Sequence, residues 1–233
     1  MAMDPRKRQK KLERRHTKAN AKKKALAVRD PRDLTARIER SAAAPIVHCC
    51  TTNVLWDEGM SNVLVSRALN SGSIAFTAFL VDMYCLGVKD VTFDIVSRRN
   101  YDWRVYNKLL RDYEVVNLEP DAARKLVEGA VEYAAQIGLS PHRDYLKGMQ
   151  IFGDIDAVSC TEEFTYGKDG KPFFVAGPHD SMSRCRQIIN LLTDRCGPDG
   201  FHYFMRLSNS AMLPRGERGL AIDDGGHVEE SPE

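Results

Sequence analysis

The clearest pattern in the chain is a pair of short apolar stretches separated by a turn. Residues 62–66 (NVLVS) are rich in β-branched and aliphatic residues, and residues 74–82 (IAFTAFLVD) are apolar at almost every position. Both stretches predict strands, and a continuously apolar strand is typical of the centre of a sheet that is covered on both faces. Residues 70–73 (NSGS) form the predicted turn between them. Residues 85–90 predict a second turn, and residues 91–96 predict a further strand or the entry to a helix.

The middle of the chain carries apolar residues at helical spacing. Two amphipathic helices are predicted, over residues 101–113 and 121–137. Pro120 suits the first turn of the second helix, and Gly138 suits a left-handed cap just past its end. A shorter helix is predicted over residues 143–152.

The C-terminal third returns to strand-like patterns. Residues 164–167 and 172–176 flank a Lys-Asp-Gly-Lys turn and predict a β-hairpin. A helix is predicted over residues 183–196, and residues 201–207 alternate as a last strand. Strands followed by helices and then a hairpin indicate the α+β class, with a mixed or antiparallel sheet and helices packed mainly on one face.

Charge divides the chain sharply. The first 24 residues hold eleven Lys and Arg against two acids, a net charge of +9, while the remainder carries −7. The cations of this basic arm are Arg6, Lys7, Arg8, Lys10, Lys11, Arg14, Arg15, Lys18, Lys22, Lys23 and Lys24. A block of like charge repels itself and has too little apolar surface to fold alone, so we expect the arm to be disordered.

These patterns predict three regions. Residues 1–44 are a basic arm followed by a linker or by one short helix over residues 33–40. Residues 45–207 form a single α+β globular domain, and residues 208–233 are Gly-rich and acidic, which predicts a disordered acidic tail. This tail is a candidate competitor that folds back on the arm.

Composition narrows the class of protein. The longest apolar run ends after eight residues, at Asp82, which is too short for a membrane span. The basic start of the chain lacks the apolar block of a secretory signal, so we expect a cytoplasmic protein whose six cysteines are reduced. None of them forms a C-x-x-C pair, and His48, Cys49 and Cys50 are neighbours that point to opposite faces of an extended segment. We therefore predict neither a bound metal nor another cofactor.

One candidate chemistry is metal-assisted phosphodiester hydrolysis. Nuclease sites hold Mg²⁺ with carboxylates at strand ends, because this cation prefers oxygen ligands. The candidate acids are Asp82, Asp90, Asp94, Asp154 and Asp156. Acids are also ordinary at strand ends and turns, so this reading requires at least two of these carboxylates to converge in one cleft.

Two Pro-His motifs are a second candidate. Residues 141–144 (PHRD) and 178–180 (PHD) each precede a predicted helix. A His oriented by an Asp is the arrangement of a general base, but residues at this position more often cap a helix. The lysines of the predicted hairpin, Lys168 and Lys171, are candidates for phosphate contact, with a plain turn as the alternative. Walker, G-x-G-x-x-G, G-x-S-x-G and H-E-x-x-H motifs are absent from the sequence.

Four segments together carry a resemblance. Residues 79–91, which contain GVKD, residues 123–145, residues 152–156 (FGDID) and residues 166–180, which contain GKDGKPF, resemble an uncharacterised family of bacterial proteins. The resemblance covers roughly residues 46–206. It implies a bacterial, cytosolic protein with one core. The family has no assigned activity, so no functional residue carries over.

The arm gives the strongest indication of function. Lys and Arg placed against nucleic-acid phosphates release counterions, which gives salt-sensitive and sequence-independent affinity. The arm has no aromatic residues, so its contacts are predicted to be with the backbone, and it lacks the apolar face of a membrane-surface helix. The sequence thus favours a binding protein over an enzyme, with nucleic acid, RNA above all, or a ribonucleoprotein as partner. A protein-interaction module and the hydrolase are the alternatives.

Overall fold

A five-stranded antiparallel sheet forms the centre of the protein. The computed structural model describes residues 33–110, 113–178 and 180–205. The strands are β1 (Ile46–Thr52), β2 (Met60–Ala68), β3 (Ser73–Asp82), β4 (Gly87–Ser97) and β5 (Val115–Asn117), in the order β4-β3-β2-β1-β5. The strands predicted over residues 62–66 and 74–82 are confirmed as parts of β2 and β3, and residues 91–96 belong to β4, whereas β1 and β5 were not predicted. Strand β3, apolar on both faces, lies inside the sheet between β2 and β4.

Seven α-helices are described around the sheet. They are α1 (Leu34–Ser41), α2 (Val54–Glu58), α3 (Arg98–Tyr101), α4 (Asn107–Leu110), α5 (Pro120–Gln136), α6 (Tyr145–Gly148) and α7 (Met182–Cys196). A π-helical stretch, Asp102–Tyr106, joins α3 to α4, and 3-10 turns cover Met149–Phe152 and Ala157–Ser159. Among the described residues, no helix is long and apolar enough to cross a bilayer.

Most helices pack on one face of the sheet, as predicted. The core on this face joins Val63 and Phe79 of the sheet to Leu126 of α5 and Ile38 of α1. Ile38 is fully buried, so the core takes in residues that the sequence prediction assigned to the linker. The opposite face is covered in part by residues 98–110, which pack through Tyr101 and Val105.

The predicted helix boundaries are confirmed within a few residues. Helix α5 has Pro120 in its first turn, and Gly138 follows it with a φ of +90°. Helix α7 begins after Ser181, whose hydroxyl accepts the Arg184 N–H at 3.2 Å. The predicted helix over residues 143–152 is a single α-helical turn continued by a 3-10 turn that ends at Gly153.

The predicted hairpin in the C-terminal third is wrong. The Asp-Gly turn exists, with Asp169 at φ +53° and Gly170 at φ +78°, but it closes a single antiparallel bridge between Lys168 and Lys171. Residues 164–167 form no strand. The Tyr166 hydroxyl instead donates to the Leu126 carbonyl of α5 at 3.1 Å.

The strand that follows this turn pairs with a distant segment. It is β6 (Phe173–Val175), and it forms a parallel pair with β7 (His202–Phe204), the short form of the predicted last strand. Phe174 and Phe201 join Ile188 and Leu192 of α7 in a second, smaller core. The strand partner of β6 is therefore set by burial in this core, and not by the Asp-Gly turn that precedes β6.

The turn between β3 and β4 lies earlier than predicted. It spans residues 83–86, and β4 begins at Gly87, within the predicted turn. Gly87 has a φ of +67°, and a Cβ there would lie 2.9 Å from the Ala130 carbonyl oxygen of α5, so no other residue fits without strain. The buried Asp82 carboxylate holds the turn by accepting the N–H groups of Tyr84 at 3.0 Å and Cys85 at 2.9 Å.

Asp82 predicts a pH dependence of stability. Burial raises its pKa to about 6, against the opposing effects of Lys89 and the backbone N–H groups. A raised carboxyl pKa means that the folded state binds the proton more tightly than the unfolded chain, so Asp82 favours folding below pH 4, and this contribution is lost as the pH rises through about 6. The loss is on the order of 2–3 kcal/mol.

We expect Asp82→Asn to remove this part of the pH profile, because Asn keeps an oxygen acceptor for the turn but does not ionise. Guanidinium unfolding at pH 4.5 and 7.5 measures it. The variant should lose less stability than the wild type between these two pH values. Equal losses in both proteins would show that Asp82 is not the group responsible.

Arg67 of β2 is the most deeply buried cation among the described residues, with 5% of its surface exposed. Its Nε donates to the Ile151 carbonyl at 2.7 Å, its Nη1 to Ala44 at 2.6 Å and its Nη2 to Phe152 at 3.2 Å. The side chain thereby ties the loop after α1 and the 3-10 turn to the sheet.

Candidate nucleic-acid interface

Residues 98–110 form a helical segment that leaves the end of β4. The sequence predicts a helix from residue 101, but the structure begins it at Arg98, because the Ser97 hydroxyl caps the first turn by accepting the Asn100 N–H at 3.4 Å. The π-helical stretch within it widens the backbone. Such stretches occur frequently at functional sites.

Tyr101 fixes this segment to the sheet. Its side chain is fully buried, and its hydroxyl donates to the Ser66 hydroxyl and lies 2.9 Å from His48 Nδ1. Tyr106, one turn further, stacks on the His48 ring with centroids 3.8 Å apart. The inner side of the segment is therefore held by two aromatic rings, and Trp103 and Arg104, which lie between them in sequence, are exposed.

Burial, and then the nearby Arg98, lowers the pKa of His48. Neutral imidazole is the form that this stacked position favours. Cys49 faces the first core and Cys50 the opposite one, as the sequence predicts for neighbours on a strand. The six cysteines are all free thiols.

The outer side of the segment is a shallow groove of about 870 Å³. The groove is lined by Arg98, Arg99, Asn100, Asp102, Trp103, Arg104 and Asn107. Trp103 is 76% exposed, more than any other aromatic side chain among the large hydrophobic residues exposed in the described part of the chain. Burying a large apolar side chain is worth about 1.5–3 kcal/mol, so this exposed tryptophan is a candidate contact for a partner.

The charge of the groove differs from that of the body. Residues 33–205 carry 18 cations and 23 acids, a net charge of −5. Residues 98–108 reverse this balance, with Arg98, Arg99, Arg104 and Lys108 against Asp102. Asp102 is paired with Arg98 at 3.1 Å, which leaves the other cations to set the potential around Trp103.

An exposed indole among arginines has a defined chemistry. Aromatic rings stack on unpaired bases, and each stacked base contributes about 1–3 kcal/mol, while arginines contact the phosphates on either side. An exposed ring flanked by arginines is thus the combination by which proteins contact single-stranded nucleic acids. Trp and Arg are also the residue types that dominate protein–protein hot spots.

The sequence pattern contains the signal that leads to this groove. Tyr101 and Val105 are inward positions of the helix, and Trp103 lies two residues from each, so helical spacing places it on the opposite side. The prediction of a helix over residues 101–113 described only the inward face, and the groove was missed for this reason.

The eleven cations of the basic arm lie outside the described residues, so their contacts stay a prediction. The five candidate acids are described, and no three of them gather at one site. Asp90 and Asp94 are four residues apart on β4, about 13 Å along the strand, and Asp82 holds the turn before it. Asp156 caps the second 3-10 turn by accepting the Val158 N–H at 3.0 Å.

Asp154 is exposed and lines a separate cavity next to Arg67. Throughout residues 33–110, 113–178 and 180–205, no three His, Cys, Asp or Glu side chains form a group that can hold a metal ion. The described geometry thus gives the hydrolase alternative no support.

The first Pro-His motif does not form a free general base. His142 Nε2 lies 3.7 Å from Asp90 Oδ1, and its Nδ1 accepts the Asp144 N–H at 3.3 Å. The Nδ1 acceptor is thus occupied by a backbone N–H. In the second motif His179 lies outside the described residues, while Asp180 accepts the Gly177 N–H at 2.8 Å.

The two lysines of the Asp-Gly turn are also engaged. Lys168 Nζ lies 5.0 Å from the centre of the Phe173 ring, and Lys171 Nζ donates to the Asp199 carbonyl at 2.8 Å. These contacts favour a structural turn over a phosphate site.

Comparison with known proteins adds no relative, since no family model, curated protein or solved structure matches the chain.

Proposed function

We propose that this protein binds single-stranded nucleic acid, RNA above all, through the groove around Trp103 together with the basic arm. The observation that carries the proposal is the exposed Trp103 indole between Arg99 and Arg104 on an otherwise acidic body. In this account the groove stacks on bases and the arm contributes backbone contacts.

The rigid inner side of the segment supports this role. Tyr101 and Tyr106 hold residues 98–110 against the sheet through His48 and Ser66, so the groove is pre-organised and binding does not require this segment to fold. A protein partner is the second candidate, because Trp and Arg are typical of both kinds of interface.

Salt dependence separates the two candidates. We expect a fluorescein-labelled 20-nucleotide uridine RNA to bind the full chain. The slope of log K against log salt should be −3 or steeper, since each phosphate contact on a single strand contributes about −0.7. Anisotropy titrations between 50 and 300 mM KCl measure the slope. A slope near zero, or no binding, would leave the protein-interaction alternative in place.

The arm and the groove can be measured apart. Without residues 1–24, the affinity should fall and the slope should shrink to about −1.4, the value for two phosphate contacts, from Arg99 and Arg104 of the groove. The thermal midpoint serves as the control for folding. An RNA duplex of the same length should bind the shortened chain more weakly than the single strand, because paired bases are not free to stack on Trp103.

A further inference from the structure

A second cavity, of about 310 Å³, lies away from the groove, where the start of β4, the loop after α5 and the beginning of α7 meet. This volume is at the small end of the range of ligand cavities. Its apolar walls are Leu86, Val88, Leu139 and Pro141, and its polar lining consists of Lys89, Ser140, His142, Asp180 and Arg184. Apolar walls with a few convergent polar groups are the usual composition of a small-molecule site.

Lys89 is the unusual member of this lining. Its side chain is 17% exposed, and its ion pair with Asp180 Oδ2 is 4.0 Å long, beyond hydrogen-bond distance. An ammonium group has three N–H donors, and the Asp180 carboxylate at this distance does not engage them closely. The ammonium of Lys89 therefore has capacity for oxygen acceptors supplied from the cavity.

Arg184 also lies too far from Asp180 for a hydrogen bond. Its Nε lies 3.9 Å from Asp180 Oδ1, and its side chain is 62% exposed at the mouth of the cavity. Two cations thus share one carboxylate, which itself is held in place by the Gly177 N–H. A carboxylate ligand can accept two parallel hydrogen bonds from a guanidinium, a geometry that Asp180 does not reach.

The other charges limit what can bind. Lys89 also acts electrostatically on the buried Asp82, and His142 faces Asp90 at 3.7 Å. These acids oppose a ligand with two negative charges more strongly than a ligand with one. The apolar walls favour a ligand with a hydrocarbon part over an inorganic anion.

We propose that this cavity binds a small organic monocarboxylate. Its oxygens accept hydrogen bonds from Lys89 and Arg184, and its apolar part contacts Leu86, Val88 and Leu139. The site is independent of the nucleic-acid proposal, because none of its residues belongs to the groove around Trp103.

Isothermal titration of the full chain with matched probes tests the proposal. The probes are benzoate and hexanoate, with benzamide and hexanamide as neutral analogues of the same shape and inorganic phosphate as an anion without an apolar part. We expect saturable binding of a carboxylate probe that its amide does not reproduce, with phosphate at least about tenfold weaker. Lys89→Met and Arg184→Gln should each weaken binding by about tenfold or more, the value of a lost charged hydrogen bond.

Arg186→Gln is the control, since Arg186 is an exposed arginine two residues along α7 and thus on another side of the helix. It should leave binding unchanged. Arg184→Gln keeps the test valid if Lys89→Met proves poorly folded, as judged by its thermal midpoint. The proposal would be overturned if the amide or phosphate bound as tightly as the carboxylate, or if Arg184→Gln left the affinity unchanged. It would also be overturned if no probe gave a heat of binding up to about 10 mM.

Discussion

Replacing Arg67 by Ala should destabilise the protein by about 3–5 kcal/mol, the largest effect on stability that we expect from a single polar side chain. The change removes three N–H donors and leaves the carbonyls of Ala44, Ile151 and Phe152 without them. A separate surface cavity of about 650 Å³ lies beside Arg67 and admits water to part of the vacated space, so we expect the lower end of this range. Guanidinium unfolding followed by circular dichroism measures the loss.

Two further variants define the cause. Arg67→Lys keeps the charge but offers donors from one nitrogen instead of three, so its stability should lie between those of wild type and Arg67→Ala. Arg37→Ala removes an exposed arginine of α1 and should cost less than about 0.5 kcal/mol. A loss below 1 kcal/mol in Arg67→Ala would mean that the loop and the 3-10 turn hold their places without this side chain.

Replacing Trp103 by Ala should weaken binding of the single-stranded RNA by about 1–3 kcal/mol, roughly 5- to 150-fold. The reason is the loss of one stacked base. The slope of affinity against salt should remain the same, because the arginines that contact phosphate are untouched. Anisotropy titration of the full chain at three salt concentrations measures both quantities.

The matched variants are Trp103→Phe and Arg99→Gln. The first keeps an aromatic ring and should recover most of the affinity, and the second should reduce the salt slope by about 0.7 while leaving the stacking in place. Equal losses of affinity and slope in Trp103→Ala and Arg99→Gln would contradict separate roles for the ring and the charge. Since Trp103 is mostly exposed, none of these variants should change the thermal midpoint.

The sheet and the long helices follow from patterns that lie within short stretches of sequence. Residues 74–82 are apolar on both faces because β3 is covered on both, and α5 is bounded by Pro120 and Gly138 because these residues suit helix ends. The prediction of a hairpin was wrong because its pairing depends on a distant segment. Its turn is locally encoded, but the partner of Phe173–Val175 lies about thirty residues further along and is chosen by burial against α7.

The candidate site was predictable in part. The charge of the arm is evident in the sequence, and helical spacing places Trp103 on the side opposite Val105. The contact that fixes this segment to the sheet joins Tyr101 to Ser66 of β2, 35 residues earlier. The role of Arg67 depends on a contact 84 residues away in sequence, with the carbonyl of Ile151. No local pattern encodes such contacts.

The emission of Trp103 tests the central proposal most directly. The chain has two tryptophans, and Trp56→Phe leaves Trp103 as the single one while keeping an aromatic ring against Phe164. We predict that the 20-nucleotide uridine RNA quenches the remaining tryptophan emission, with a midpoint equal to that of the anisotropy titration. RNA binding detected by anisotropy with no change in Trp103 emission, or no binding at all, would contradict the account.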